Sequence, residues 1–263
     1  MTQRPFGGGF GGGPGGMGGG GFGRGGNVRM QFGPSRVGPI VRGLLIANVA
    51  GFVLQALFPW FTDTFGLVPK LVFHGWIWQL ATFHFLHGGV GHLLMNMLML
   101  WMFGAELEFK FGRNKFIWLV VLSGLGAGLC QVIANGPDGI VPTVGASGIV
   151  FGLLLAWGLT WPERQVLVML IIPMKGKWMA AMAGLIEFLY VLDGRNPGIA
   201  HFAHLGGMIF AYVFLRYDTL YMRVRKTYYE RKLEHFRKKY RVVDGGKSDA
   251  GRPDEQPKRP TYH

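Results

Sequence analysis

The chain has 263 residues, of which 49% are apolar and only 16% charged, and its formal net charge is +13. Residues 1–42 hold five Arg and no acid, and residues 216–263 hold fourteen Lys or Arg against seven acids. The intervening residues 43–215 are almost neutral, with eight Lys or Arg and seven acids. This pattern excludes an ordinary soluble domain and a nucleic-acid-binding protein. It predicts a membrane-embedded core whose basic tails are attracted by anionic headgroups.

The glycine and cysteine contents are also informative. Residues 7–26 contain fifteen glycines, so they bury too little apolar surface to offset their conformational entropy, and residues 1–38 are predicted to be a disordered basic tail. Cys130 is the single cysteine, which excludes a disulfide framework and a cysteine-based metal cluster.

Six apolar segments between residues 39 and 216 approach the length of a membrane-spanning helix, roughly 20 residues. They predict an all-α membrane protein built as a six-helix bundle. Several segments are short or rich in glycine, which is typical of helices that pack closely against one another. The predicted spans are residues 40–58, 90–107, 115–135, 145–160, 177–192 and 199–216.

The distribution of Lys and Arg predicts the orientation of these spans. Basic residues concentrate before the first span and after the second, fourth and sixth spans, whereas the other three connections hold only Lys70 and Arg195. Short basic segments remain on the cytoplasmic side. Both termini are therefore expected to be cytoplasmic.

Three polar residues from three separate spans share one depth. His92, Ser147 and His204 each lie a few residues past an outer connection, which places them roughly 5–10 Å below the outer surface at the rise of an α-helix. A hydroxyl beside an imidazole is the minimum nucleophile–base pair for acyl transfer. His92 and Asn96, four residues apart on one helix face, add an imidazole and an amide that suit an oxyanion hole.

Each of these residues also has a structural explanation. Ser147 is flanked by small residues that permit close helix approach, and a single histidine in a span is often a hydrogen-bonding group of the core. His92 and Asn96 are also compatible with an interhelical hydrogen-bonded pair. The shared depth of all of them favours the catalytic interpretation.

Residues 40–216 resemble the rhomboid intramembrane serine proteases. The resemblance rests on short motifs that occur in the same order and spacing as in that family. They are His92-Leu-Leu-Met-Asn96, Gly145-Ala-Ser147-Gly148 and Ala203-His204-Leu-Gly206-Gly207, with His87 and the Gly104-to-Gly112 stretch around Glu108 in support.

The resemblance implies a role for each motif residue. Ser147 corresponds to the nucleophile and His204 to its general base, in a dyad without an obligatory acid. The oxyanion hole corresponds to the Ser147 backbone N–H with the side chains of His92 and Asn96. Gly145 is a supporting residue of the serine motif.

The sequence departs from the family pattern at three places. Phe151 stands where many members have a tyrosine beside the catalytic histidine, so stacking survives without the hydroxyl. The small residues in the sixth span are Gly207 and Ala211, which predicts a slightly looser approach to the fourth span. In the aromatic connection 59–88, Trp78 is followed by Gln79 rather than arginine, which predicts weaker anchoring of that loop.

The resemblance implies an endopeptidase in a bacterial inner membrane that cleaves single-span membrane proteins near the outer face. Catalysis of this kind needs no cofactor, and we predict none. The main alternative is an inactive relative that binds transmembrane helices without cutting them, but such relatives typically lose the serine or the histidine. A transporter with a proton relay is a further alternative, for which Glu187 is the only candidate acid in mid-membrane.

A metal site is not expected. His74, His84 and His87 match no strong ligand spacing, and the zinc-protease motif His-Glu-x-x-His does not occur.

Residues 217–263 form the second basic tail. Within 219–241, aromatic and apolar residues recur every three to four positions among nine Lys or Arg, which predicts an amphipathic helix lying on the cytoplasmic leaflet against anionic lipids. The alternative is a solvated helix that simply extends the sixth span. The remainder of the tail is predicted to be disordered.

Overall fold

The structure is a computed structural model that describes residue 34 and residues 36–168, 172–194 and 200–239. Most of the glycine-rich tail predicted over 1–38, and the segment after residue 239, lie outside the described residues.

The described part is almost entirely helical, and a helix stands at each of the six predicted spans. Residues Leu100–Gly104 form a π-helical turn that joins helices Val90–Met99 and Ala105–Phe111 into one rod. A 3-10 turn, Phe83–Phe85, follows the short helix Gln79–Thr82. The helices are α1 (Pro39–Leu57), α2 (Trp60–Phe65), α3 (Pro69–Phe73), α4 (Gln79–Thr82), α5 (Val90–Met99), α6 (Ala105–Phe111), α7 (Arg113–Asn135), α8 (Ser147–Thr160), α9 (Gly176–Asp193) and α10 (His201–Lys239).

Three of these helices are long and apolar enough to cross a membrane by length and composition. They are α1, the α5–α6 rod and α7. Helix α8 is equally apolar but has only 14 residues. Its shortness follows from its position, because it begins directly at Ser147 below a loop and ends at Thr160 before a hairpin.

A two-stranded hairpin between α8 and α9 was not predicted from the sequence. Strands β1 (Gln165–Val168) and β2 (Ile172–Lys175) pair antiparallel, with Gln165 opposite Lys175. The sequence indicated only a break at Pro173. Both strands of a two-stranded ribbon are edge strands, which is where proline is tolerated in a sheet.

Helices α7, α8 and α10 touch backbone to backbone through glycines. A Cβ atom at Gly207 would lie 1.9 Å from the carbonyl oxygen of Gly148, and one at Gly206 would lie 2.5 Å from that of Gly126. Ala211, four residues after Gly207, is fully buried. Gly207 alone thus permits a backbone contact between the fourth and sixth spans, and the slightly looser approach than in relatives with two glycines stays a prediction.

Carboxylates secure the end of the bundle at which the basic loops gather. Glu108 accepts hydrogen bonds from the backbone N–H groups of Ile40 and Val41, each at 2.9 Å. These donors lack intrahelical partners at the start of α1. Glu106 accepts from the Trp157 indole at 2.8 Å and forms a bidentate pair with Arg164.

Helix α10 continues without interruption from His201 to Lys239. A helix is therefore present where the amphipathic pattern indicated one. The bend that would lay it on a membrane surface after the sixth span is absent from residues 201–239, so the structure has the extended helix that was the alternative interpretation.

Candidate active site

The first loop fixes the backbone that leads into α8. Leu67 and Thr143 exchange backbone hydrogen bonds of 2.9 and 2.8 Å, and the Gly145 N–H donates to the carbonyl of Phe83 at 2.9 Å. The Gln131 side chain also donates to the Thr143 hydroxyl. These bonds hold the chain immediately before Ser147.

Gly145 is required at this turn for two reasons. Its φ of +128° lies in a region that residues with side chains rarely adopt. A Cβ atom there would also lie 2.7 Å from Cε1 of His92. The glycine thus lets the His92 ring lie directly against the backbone beside Ser147.

Ser147 is the first residue of α8 and is half-buried. Backbone N–H groups in the first turn of a helix have no intrahelical acceptor and lie at the positive end of its dipole. The Ser147 N–H is therefore a donor suited to a developing negative charge next to its own hydroxyl.

His204 lies near the start of α10, within hydrogen-bond distance of this hydroxyl. Its Nε2 is 2.7 Å from Ser147 Oγ. The ring stacks on Phe151, with centroids 4.3 Å apart and planes inclined by 10°. His204 is only 7% exposed. Two of the predicted site residues are thus in contact, and Phe151 fixes the imidazole plane.

His92 and Asn96 occupy successive turns of α5. The His92 ring faces Gly145, and its Nδ1 accepts a long hydrogen bond of 3.4 Å from the Gly88 N–H. Asn96 is buried, and its amide donates to the His92 carbonyl at 3.0 Å. The structure therefore brings the His92 ring to the serine turn, while Asn96 binds its own helix one turn further along.

A residue outside the predicted site joins this group. Glu187 of α9 is buried, and its Oε2 lies 2.6 Å from Nδ1 of His201 and 3.0 Å from Nδ1 of His204. One side-chain nitrogen of each histidine and one carboxylate oxygen of Glu187 lie within 4.8 Å of one another. The sequence analysis missed this grouping. The available signal was a carboxylate inside a predicted span, because such a group needs a partner in the bundle.

Two histidines of the first loop are buried outside the spans. Burial lowers the pKa of His84 to about 4, with the backbones of Gly124 and Gly145 acting in the opposite direction. Burial, followed by the charge of His92, lowers the pKa of His87 to about 4. Both rings are therefore neutral at physiological pH. His74, the third histidine considered for a metal site, is exposed and donates to the Lys70 carbonyl.

Gln79 supports the first loop from inside. It is fully buried; its Oε1 accepts from the Val68 N–H at 3.0 Å, and its Nε2 donates to the Thr64 carbonyl at 3.3 Å. The Trp78 indole donates to the same carbonyl at 3.1 Å. The glutamine that replaces the expected arginine thus links parts of the loop to each other.

Comparisons with known proteins agree with this architecture. The family model described as the Rhomboid domain matches residues 74–219, more than half of the chain. RHOMBOID-like proteins 4 and 5 of Arabidopsis thaliana are each 34% identical to it, over 138 and 151 residues. Rhomboid protease GlpG of Salmonella choleraesuis is 28% identical over 202 residues.

The matched regions differ in extent. They cover 49% and 54% of this chain but only 31% and 44% of the two Arabidopsis proteins. For the Salmonella protein they cover 72% of this chain and 67% of the relative. With the domain match and the apolar helices of the bundle, these similarities show that the chain is an integral membrane protein that belongs to the rhomboid family.

Proposed function

We propose that this protein is an intramembrane serine endopeptidase in which Ser147 is the nucleophile and His204 its general base. The observation that carries the proposal is the 2.7 Å contact between Ser147 Oγ and His204 Nε2 inside an apolar bundle. Ser147 is half-buried rather than sealed, so a peptide carbonyl and water have a route to it. The protease name of the Salmonella relative supports the same reaction.

The oxyanion of the tetrahedral intermediate is held by donors around the serine turn. The Ser147 N–H at the start of α8 and the His92 ring beside Gly145 face this turn from two different helices. Asn96 contributes its remaining amide hydrogen once its side chain turns toward the same point. A donor that is already in place, as the Ser147 N–H is, stabilises such a transition state by about 3–4 kcal/mol.

The substrates are single-span membrane proteins cleaved near the outer face. Ser147, His204 and His92 all lie at the helix ends opposite the basic loops, where water reaches the site without crossing the bilayer. We place both termini in the cytoplasm of a bacterial cell, with the protein in the inner membrane, because the Lys- and Arg-rich loops gather at the other end. The basic extension of α10 meets anionic lipid headgroups where it leaves the membrane.

Two substitutions test the dyad. Ser147→Ala and His204→Ala should each abolish cleavage of a fluorescent single-span substrate in proteoliposomes, and Ser147→Ala should abolish fluorophosphonate labelling. Ser123→Ala is the matched control, because Ser123 is a buried serine of α7 whose hydroxyl has no hydrogen-bond partner in the described part of the chain. It should retain cleavage and labelling.

Cleavage by either dyad variant would refute the assignment. A wild-type protein that is folded but neither labelled nor active would instead favour an inactive helix-binding relative.

A further inference from the structure

A carboxylate from α9 extends the Ser147–His204 pair. Glu187 Oε2 lies 3.0 Å from His204 Nδ1, on the side of the ring opposite the serine. The oxygen lies off the line of the ring N–H bond, so the contact is at hydrogen-bond distance without good alignment. Active-site hydrogen bonds are often poorly aligned before substrate binds. The Glu187 carboxylate, the His204 imidazole and the Ser147 hydroxyl are thus linked by two consecutive short contacts.

Helix α9 places this carboxylate where apolar packing would be expected. Within residues 181–193, Glu187 is the only buried residue. Its side chain is thus the most deeply buried one in this half of the helix. Burying a carboxylate costs several kcal/mol of desolvation that a leucine would not incur. A buried acid at such a position indicates a role that an apolar side chain cannot fill.

His201 holds the carboxylate in position. Its Nδ1 donates to Glu187 Oε2 at 2.6 Å, and Tyr190 stacks on its ring with centroids 4.8 Å apart. One turn further along α10, His204 presents its own Nδ1 to the same oxygen. The carboxylate is therefore fixed by one imidazole and available to the other.

An acceptor at Nδ1 favours the chemistry that His204 performs. To take the proton of the Ser147 hydroxyl, Nε2 must be unprotonated, so the ring hydrogen must be on Nδ1. When Nε2 has taken the second proton, the imidazolium carries a positive charge in an apolar surrounding. A carboxylate at 3.0 Å favours both states.

We propose that Glu187 is a positioning residue that makes the dyad a Ser147–His204–Glu187 triad. The inference rests on the proposed protease function and departs from the dyad that the family resemblance implies. Ser147 Oγ bonds to the scissile carbonyl carbon as its proton passes to His204 Nε2. That proton then passes to the leaving amine nitrogen as the carbon–nitrogen bond breaks. Glu187 stays ionised throughout, orients the ring and stabilises the imidazolium.

The test compares Glu187→Gln and Glu187→Asp with wild type in proteoliposomes across a pH series, with kcat expressed per site titrated by fluorophosphonate. Glu187→Gln should lower kcat by roughly tenfold to a hundredfold and change KM little. This loss of kcat is smaller than the ~10⁴-fold loss in an aligned triad without its acid, because the Glu187–His204 contact is poorly aligned. The acid limb of kcat should move to lower pH, because the charge that favours the imidazolium is lost. Glu187→Asp keeps that charge and should retain the acid limb of wild type.

The groups around His204 make the pH series interpretable. Among the described residues, the titratable groups that face it are Glu187 from α9, His201 from its own helix and His92 from α5. Glu108→Gln is the matched control, because it removes another buried carboxylate, one that binds the start of α1. It should lower the melting temperature while leaving kcat per site and the acid limb unchanged.

Wild-type kcat per site and an unmoved acid limb in Glu187→Gln would overturn the proposal. A second measurement is independent of activity. In ¹⁵N-histidine spectra, His204 of the wild type should carry its hydrogen on Nδ1, and Glu187→Gln should shift this population toward Nε2. A wild-type His204 protonated on Nε2 would refute the positioning role, whereas absent cleavage with the expected spectrum would refute only the protease function.

Discussion

Gly207→Ala tests how closely the site depends on helix approach. The added Cβ would lie 1.9 Å from the Gly148 carbonyl oxygen, whereas ordinary contacts begin at 3.4 Å. The two backbones must therefore separate by about 1.5 Å, because no flexible side chain can yield. Overpacking of this kind typically costs about 1–3 kcal/mol, and a backbone obstacle places this case near 3 kcal/mol.

The same movement acts directly on the reacting groups. Gly148 follows Ser147, and Gly207 is three residues from His204, so the 2.7 Å contact between these side chains opens beyond hydrogen-bond distance. A displacement of about 1 Å can reduce catalysis ~100-fold. The protein that remains folded should therefore also be less active.

Thermal unfolding in detergent and the rate of fluorophosphonate labelling measure the two effects. Gly207→Ala should lower the melting temperature by roughly 6–12 °C and slow labelling about 100-fold. Gly43→Ala is the control, because Gly43 lies exposed on α1 with nothing within 4 Å of an added Cβ. It should be neutral or stabilising by up to about 1 kcal/mol. Wild-type melting and labelling in Gly207→Ala would refute the packing argument.

Three further substitutions probe buried polar groups. Glu108→Gln should destabilise the fold by about 1–3 kcal/mol, seen as a lower melting temperature, because a charged acceptor for two α1 backbone donors is weakened. Gln79→Leu should cost a similar amount and increase proteolysis of the first loop, since the buried Val68 N–H loses its acceptor and the Thr64 carbonyl loses one of its two donors. Burial lowers the pKa of His84 from 6.5 to about 4, so the unfolded chain takes up a proton that the folded chain excludes, and stability present above pH 6.5 is lost as pH falls toward 4. The wild-type melting temperature should therefore decline more steeply over this interval than that of His84→Gln, and equal slopes would contradict the assignment.

The six predicted spans could be located from sequence because each is a predominantly apolar segment, although only α1, the α5–α6 rod and α7 reach the length and apolarity of a full span. The predicted starts lie within two residues of the observed helix starts, for example residue 90 for α5 and residue 177 for Gly176. The proximity of Ser147 and His204 also followed, because equal depth in helices entering from one side, together with the family motifs, leaves few other arrangements.

The place of Glu187 could not be predicted in the same way. Depth says nothing about the rotation of a helix about its own axis, and that rotation decides whether this carboxylate faces lipid or His204. The residue is also separated from His201 by fourteen positions. The hairpin of β1 and β2 was missed because its apolar residues are equally compatible with the beginning of a helix.

The course of α10 could have been predicted from an observation that the pattern analysis left unused. An amphipathic period is the same for a helix on a membrane surface and for one that extends a span. The two differ only in a bend after residue 216, and no glycine or proline occurs between Met208 and Val243. Sharp kinks in helices usually occur at proline or glycine, so the absence of both favours a helix that continues straight past residue 216.

Two truncations distinguish the extended helix from one that lies on the membrane. All side chains from Thr219 to Arg237 are exposed, so removing residues 219–263 should leave the melting temperature in neutral detergent unchanged. In an extended helix, residue 231 lies about 20 Å beyond Asp218, well past the Debye length of about 8 Å. Removing 231–263 should then leave the ratio of cleavage rates in anionic and neutral vesicles unchanged, whereas removing 219–263 should lower it. If both truncations lowered this ratio of cleavage rates equally for each basic residue removed, the helix would have to lie along the headgroups. That result would contradict the uninterrupted course of α10.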